Sequence, residues 1–237
     1  MQLPEILDSI QVDFERTWGR FQELRVNAIA EHPIPFFGPA SNAQVLTVGV
    51  NPSATEFVDR HWPAQLSPED LQARLTGYFT AAPCSPHLWF SRWQESLSVL
   101  GLTYGRDVAH VDLSPRPTKA MQTCSQMLFC SMVEHDAQWF FKLLPFWTKV
   151  RLLLLAGCVT NRYYLHEFLA HIAPGYGYSI SPKPLRGGRG RIGYHLLSGH
   201  GRQIPFFFCS VSPSATNWQL LTQRTTENHD QLSALLK

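Results

Sequence analysis

Apolar residues in this chain fall into two patterns. Between residues 4 and 30, Ile6, Ile10, Phe14, Trp18, Phe21 and Leu24 recur at three- and four-residue steps, the period of a helix that buries one face. Elsewhere they form short runs of strand length at 45–50, 107–113, 150–156 and 205–211. Helical stretches separate these runs. A short acidic helix is expected near 67–77, and a helix over 86–100 carries Leu88, Trp89, Trp93, Leu97 and Leu100 before Gly101 ends it. Further helices are expected over 123–144, 160–172 and 215–235. Pro115 and Pro117 forbid ladder pairing beyond the second run. Segments 31–43, the stretch after residue 53 and the Gly/Pro/Arg-rich segment 174–193 read as loops. Strands that alternate with helices predict an α/β fold, a three-layer α/β/α sandwich around a mostly parallel four-stranded sheet.

Composition narrows the class. A chain of 237 residues with 44% hydrophobic residues fits a single domain, with an N-terminal helix and linker (1–40), a core (41–220) and a C-terminal helix (221–237). The net charge of +2 is far from that of a histone-like binder, so any nucleic-acid contact must come from local clustering. The five cysteines include no C-x-x-C pair, which points to free thiols in a reducing compartment and away from an iron–sulfur cluster. Glu5 and Asp8 near the start, and no apolar run of membrane-spanning length, predict a cytoplasmic protein without a signal peptide or membrane association. His87, His135, His195 and His200 lack ligand spacing, and His110 reads as a core histidine, so neither a metal nor a cofactor is expected.

Two of the four runs end in small turn-forming clusters. Gly49-Val50-Asn51-Pro52-Ser53 follows the first, and Ser212-Pro213-Ser214 follows the last. Taken alone, each is a turn or helix cap. In a parallel sheet, however, ligands bind at the carboxyl ends of strands, so the two clusters together outline one pocket.

With the phrase His110-Val111-Asp112-Leu113-Ser114-Pro115 between them, the pair resembles the uracil-DNA glycosylase superfamily over about residues 41–220, the first cluster being similar to the first motif of its mismatch-specific and single-strand-selective branches. The resemblance implies a monomeric, cofactor-free enzyme that flips a base out of DNA and hydrolyses its N-glycosidic bond. It makes Asn51 the residue that orients the attacking water and Ser212 the catalytic position of the second motif, with Pro213 and Ser214 entering the minor groove. Asp112 then stands where the family reads the base, Gly49 and Ser53 line the pocket, and Phe57 or Trp62 stacks on the flipped base. No lysine adjoins either motif, so a monofunctional enzyme is expected rather than a lyase. Arg116 and Lys119 beside the second strand end, and Lys183, Arg186, Arg189 and Arg191 among glycines, are the candidate phosphate contacts; a solvated loop is the alternative for the last four.

Two positions depart from the family pattern. Ser212 stands where many members have a histidine that stabilises the departing base, and a hydroxyl offers no cationic help. Asp112 as a carboxylate only accepts hydrogen bonds, so it opposes the O4 of uracil and suits the N4 amino group of cytosine. Adenine presents a similar edge, and an Asp112 neutralised by burial would read uracil. Ordinary cytosine is no target for a cell's own enzyme. The expectation is therefore a cytosine that carries a further mark, and within the superfamily the chain resembles most the bacterial glycosylases that attack hypermodified phage DNA, which implies glucosylated 5-hydroxymethylcytosine as the modified cytosine. A uracil or mismatch repair glycosylase, a non-catalytic reader of modified bases and a hydrolase of free nucleosides are the alternatives.

Overall fold

Each of the four apolar runs forms a strand, and the four lie side by side and parallel at the centre of a larger sheet. The computed structural model describes residues 2–25, 32–53, 66–81, 87–118, 124–160, 163–183, 192–209 and 218–237. Its strands are β1 (Phe36–Phe37), β2 (Val45–Gly49), β3 (Val108–Asp112), β4 (Leu152–Ala156), β5 (Cys158–Thr160), β6 (Tyr163–Tyr164), β7 (Tyr178–Lys183), β8 (Ile192–Gly199) and β9 (Arg202–Cys209). Its helices are α1 (Leu3–Thr17), α2 (Pro68–Thr76), α3 (Leu88–Val99), α4 (Gln126–Leu143), α5 (Leu165–Ile172), α6 (Gln219–Glu227) and α7 (His229–Leu236).

The fold is α/β, but the sheet is seven-stranded and mixed rather than four-stranded, in the order β1-β3-β2-β4-β9-β8-β7. β1 joins one edge antiparallel to β3, and the β7–β8 hairpin extends the other edge antiparallel to β9. Much of that hairpin lies in the segment 174–193, whose glycine, proline and arginine content read as loop. β7 is exposed at most positions, as an edge strand that buries little is free to be. Pro205 is tolerated inside β9 because pairing with β4 begins only at Phe206. β5 and β6 form a separate small hairpin.

β2, β3 and β4 are buried at every position, as strands covered on both faces must be. Alternation along β1 shows the two covers. Phe37, opposite His110, meets Phe90 of α3 edge-on; Phe36, opposite Val111, meets Trp147 beyond α4. α6 packs beside α3, α4 packs against α1, and α5 packs on β4.

Three helices differ from expectation. The first stretch is α-helical only to Thr17 and then tightens into a 3-10 segment, Trp18–Leu24, with a kink at Phe21, so its apolar side chains Trp18, Phe21 and Leu24 still reach the core. The last helix is two, divided at Asn228, whose side chain donates to the Arg224 carbonyl at 2.9 Å and closes α6. α5 begins at Leu165, since β5 and β6 occupy residues expected to be helical. Gly101 has φ +71° just past α3, the left-handed conformation expected of its terminator.

Among the described cysteines Cys209 is buried and Cys124, Cys130 and Cys158 are half-buried, and none of the four is in a disulfide. No helix among the described residues is long and apolar enough to cross a membrane.

Candidate functional site

β2 and β3 continue to pair past their ends. Leu113 N–H donates to Gly49 O at 3.1 Å and Ser114 N–H to Val50 O at 2.9 Å, and Ser53 then bridges Thr118. The two loops therefore leave the carboxyl end of the sheet side by side. Asn51 sits between them, half-buried. Its Nδ2 donates to the carbonyls of Pro52 (3.0 Å) and Arg116 (3.3 Å) and to Thr118 Oγ1 (2.9 Å). An N-cap would use the side-chain oxygen; here the nitrogen is the anchored atom, and no described group donates to Oδ1. The amide is thus held in one orientation, with its acceptor unused by the described residues.

Asp112 lies directly across from Gly49 in the ladder. Its carboxyl is buried, Oδ1 meets His110 Nε2 at 3.1 Å, and Oδ2 is buried without a hydrogen-bond partner. Gly49 makes this packing possible: a Cβ there would stand 2.3 Å from Asp112 Oδ1 and 2.9 Å from His110 Cε1. Behind the carboxyl, His110 Nδ1 lies 2.9 Å from Thr47 Oγ1, which lies 2.7 Å from the Tyr104 hydroxyl. Trp89, Phe90 and Phe37 surround the imidazole at ring-centroid distances of 4.6, 5.1 and 5.8 Å. Sequence reading missed Thr47 and Tyr104. The signal present was the two-residue alternation that puts His110 and Asp112 on one face, opposite Thr47 and Gly49.

Arg116 is not a surface contact. Its side chain is fully buried, so the expectation that it meets a phosphate is corrected. Nε donates to Asp136 Oδ2 at 2.9 Å, one terminal nitrogen to the Phe14 carbonyl at 3.2 Å and the other to Thr17 Oγ1 at 2.6 Å. The guanidinium is ringed by Phe14, Trp18 and Phe21 at 5.0, 5.2 and 5.4 Å. Ser114 Oγ also donates to Asp136 Oδ2, at 2.6 Å. This cluster ties the loop after β3 to α1 and α4, and so fixes the Arg116 carbonyl that accepts from Asn51. Burial pushes the Asp136 carboxyl up, with Arg116 and Ser114 opposing it. Burial also pushes Asp13 up, but hydrogen bonds from Arg16, His135 and Trp139 and the charge of His135 outweigh it and hold that carboxyl below its usual value. Asp13, His135 and Asp136 bring ligand atoms within 4.8 Å of one another. The guanidinium 2.9 Å from Asp136 and 3.7 Å from Asp13 already supplies the cation there, so these residues do not fit a metal.

Lys183, exposed, ends β7 opposite Tyr194, while Ile192 lies opposite Cys209, the last residue of β9. The chain from 183 to 192 therefore departs from the same end of the sheet as Asn51, from a strand four places away from β2, roughly 19 Å at the usual spacing. At this end His166 stacks face to face on Phe208 with centroids 3.6 Å apart, and His195 meets Phe208 edge-on at 4.9 Å. Burial holds His166 down at about 4, the nearby Glu167 opposing and His195 reinforcing it. This stack was not foreseen from sequence, since its members come from α5, β8 and β9.

Asn51, Ser53, Gly49 and Asp112 are thus brought together on adjoining strand ends. Phe57, Trp62, Lys119, Arg186, Arg189, Arg191, Ser212, Pro213 and Ser214 lie outside the described residues. No protein-family model matches the chain, and no curated protein matches it in sequence.

Proposed function

We propose that the protein is a monofunctional DNA glycosylase that removes a modified cytosine and leaves an abasic site. The observation that carries this reading is the juxtaposition of an Asn51 amide, anchored through its nitrogen, with a buried Asp112 whose Oδ2 lacks a partner, on paired strands across a glycine. Asp112 Oδ2 accepts a hydrogen bond from the exocyclic amino group of the flipped base. The bond between C1′ and the base breaks with its electron pair leaving on the base, and the sugar carries the positive charge. Asn51 Oδ1 accepts from a water and aligns its oxygen with C1′; the C–O bond forms, the water gives up one proton to solvent, and the departing base takes one proton up from solvent. An amide is too weak a base to ionise water beforehand, so Asn51 acts by positioning.

DNA contacts fall to Lys119, Lys183, Arg186, Arg189 and Arg191, with the Ser212-Pro213-Ser214 segment at the groove. Glucosylated 5-hydroxymethylcytosine of phage DNA is the substrate we favour, in a cytoplasmic defence role. The test is mass spectrometry of bases released from uracil-containing, mismatched, 5-hydroxymethylcytosine and glucosylated DNAs. Release of the modified cytosine by the wild type and loss of release in Asn51→Ala are expected. Tight binding without free base or alkali-labile sites on any DNA would replace the enzyme with a non-catalytic reader.

A further inference from the structure

A carboxylate oxygen that is buried and unpartnered loses its hydration without compensation, so Asp112 Oδ2 calls for an explanation. The other oxygen has one partner. His110 Nε2 stands 3.1 Å from Oδ1, and the ring cannot turn away, because Nδ1 is held 2.9 Å from Thr47 Oγ1 and Trp89, Phe90 and Phe37 enclose it. Thr47 is held in turn by Tyr104, 2.7 Å away. Thr47 and the tyrosine hydroxyl can each donate or accept, but a carboxylate can only accept, so Nε2 is the ring atom that carries the proton.

We infer that His110, positioned by Thr47 and Tyr104, determines which bases the site admits: its Nε2–H occupies Asp112 Oδ1 and leaves Oδ2 as a fixed acceptor that takes an exocyclic amino group and refuses a carbonyl. This rests on the glycosylase reading and goes beyond it, because it assigns selectivity to a residue behind the base-facing carboxylate. His110 touches no substrate and is a positioning residue. Without its N–H, the carboxyl is free to turn and no longer presents one fixed acceptor to the base.

The test compares release of 5-hydroxymethylcytosine and 5-hydroxymethyluracil from otherwise identical DNA. His110→Gln places an amide N–H close to the position of Nε2 and is expected to keep the wild-type preference for the amino-bearing base. His110→Phe removes the donor and is expected to lower that preference about tenfold or more, the loss of one charge-assisted hydrogen bond. A phenylalanine variant with the wild-type ratio would overturn the inference. Nitrogen-15 NMR of the His110 ring in the unmutated protein gives a second measure that needs no variant to fold. A protonated Nε2 is expected; a bare Nε2 overturns the relay. If the wild type releases no base from any DNA, the glycosylase reading fails separately. The relay is then judged by the ring spectrum and by binding of the two free bases, with equal affinity for both counting against it.

Discussion

Replacing Arg116 with methionine removes a buried cation but keeps a flexible apolar side chain among Phe14, Trp18 and Phe21. Asp136 is fully buried, and Arg116 supplies one of the two donors to its Oδ2, the other being Ser114. Taking away one partner of a buried ion pair costs about 3–5 kcal/mol, because the remaining charge is left uncompensated in a medium that solvates it poorly. In urea that corresponds to a midpoint about 1–2 M lower. Asp136→Leu added to Arg116→Met is expected to restore more than half of the loss, since the penalty lies in the stranded carboxylate. The sign with pH follows from the raised Asp136 carboxyl. The folded state holds its proton to higher pH than the unfolded state, so this group's contribution is greatest below the usual carboxylate range and falls as pH rises through its raised value. The single variant should therefore lose less stability near pH 4 than at pH 7. A loss below about 1 kcal/mol, or a double variant no more stable than the single one, would refute the reasoning. Because the Arg116 carbonyl accepts from Asn51, base release should also fall in the variant under conditions where it remains folded.

Gly49→Ala would set a Cβ 2.3 Å from Asp112 Oδ1; a loss of about 1–3 kcal/mol in chemical denaturation is expected, together with loss of base release, and an unaltered protein would mean that the carboxyl moves freely. His166 is held at about 4, below its unfolded value, so stability present above about pH 6.5 is lost as pH falls toward 4. Because the ring is only half-buried the effect is modest, and His166→Phe, which retains the stack on Phe208, should flatten that part of the stability profile. Changing Lys183, Arg186, Arg189 and Arg191 together to alanine should reduce the slope of log binding constant against log salt by about 2–4 on duplex DNA, while an unchanged slope removes them from the interface.

The central sheet was legible because it rests on local pattern. Four apolar runs of strand length, separated by helical periodicity, could only pair as buried parallel strands, and the structure pairs them so. The outer strands were not legible: β7 and β8 are held by the hydrogen bonds of neighbouring chain, and an exposed edge needs no apolar signature. At the candidate site, the positions of Asn51 and Asp112 at strand ends followed from the turn clusters. What the side chains do there depends on segments far apart in sequence. Arg116 has the composition of a surface phosphate contact, yet Asp136 and Thr17, 20 and 99 residues away, draw it fully inside. His110 looked like an ordinary core histidine until Thr47 and Tyr104 were placed behind it. Hydrophobic periodicity is a property of neighbours along the chain, so the sequence determined the four central strands. Hydrogen-bond partners are set by proximity across the fold, so only the tertiary structure decided which charges are buried and which carboxylate oxygen is left to meet a ligand.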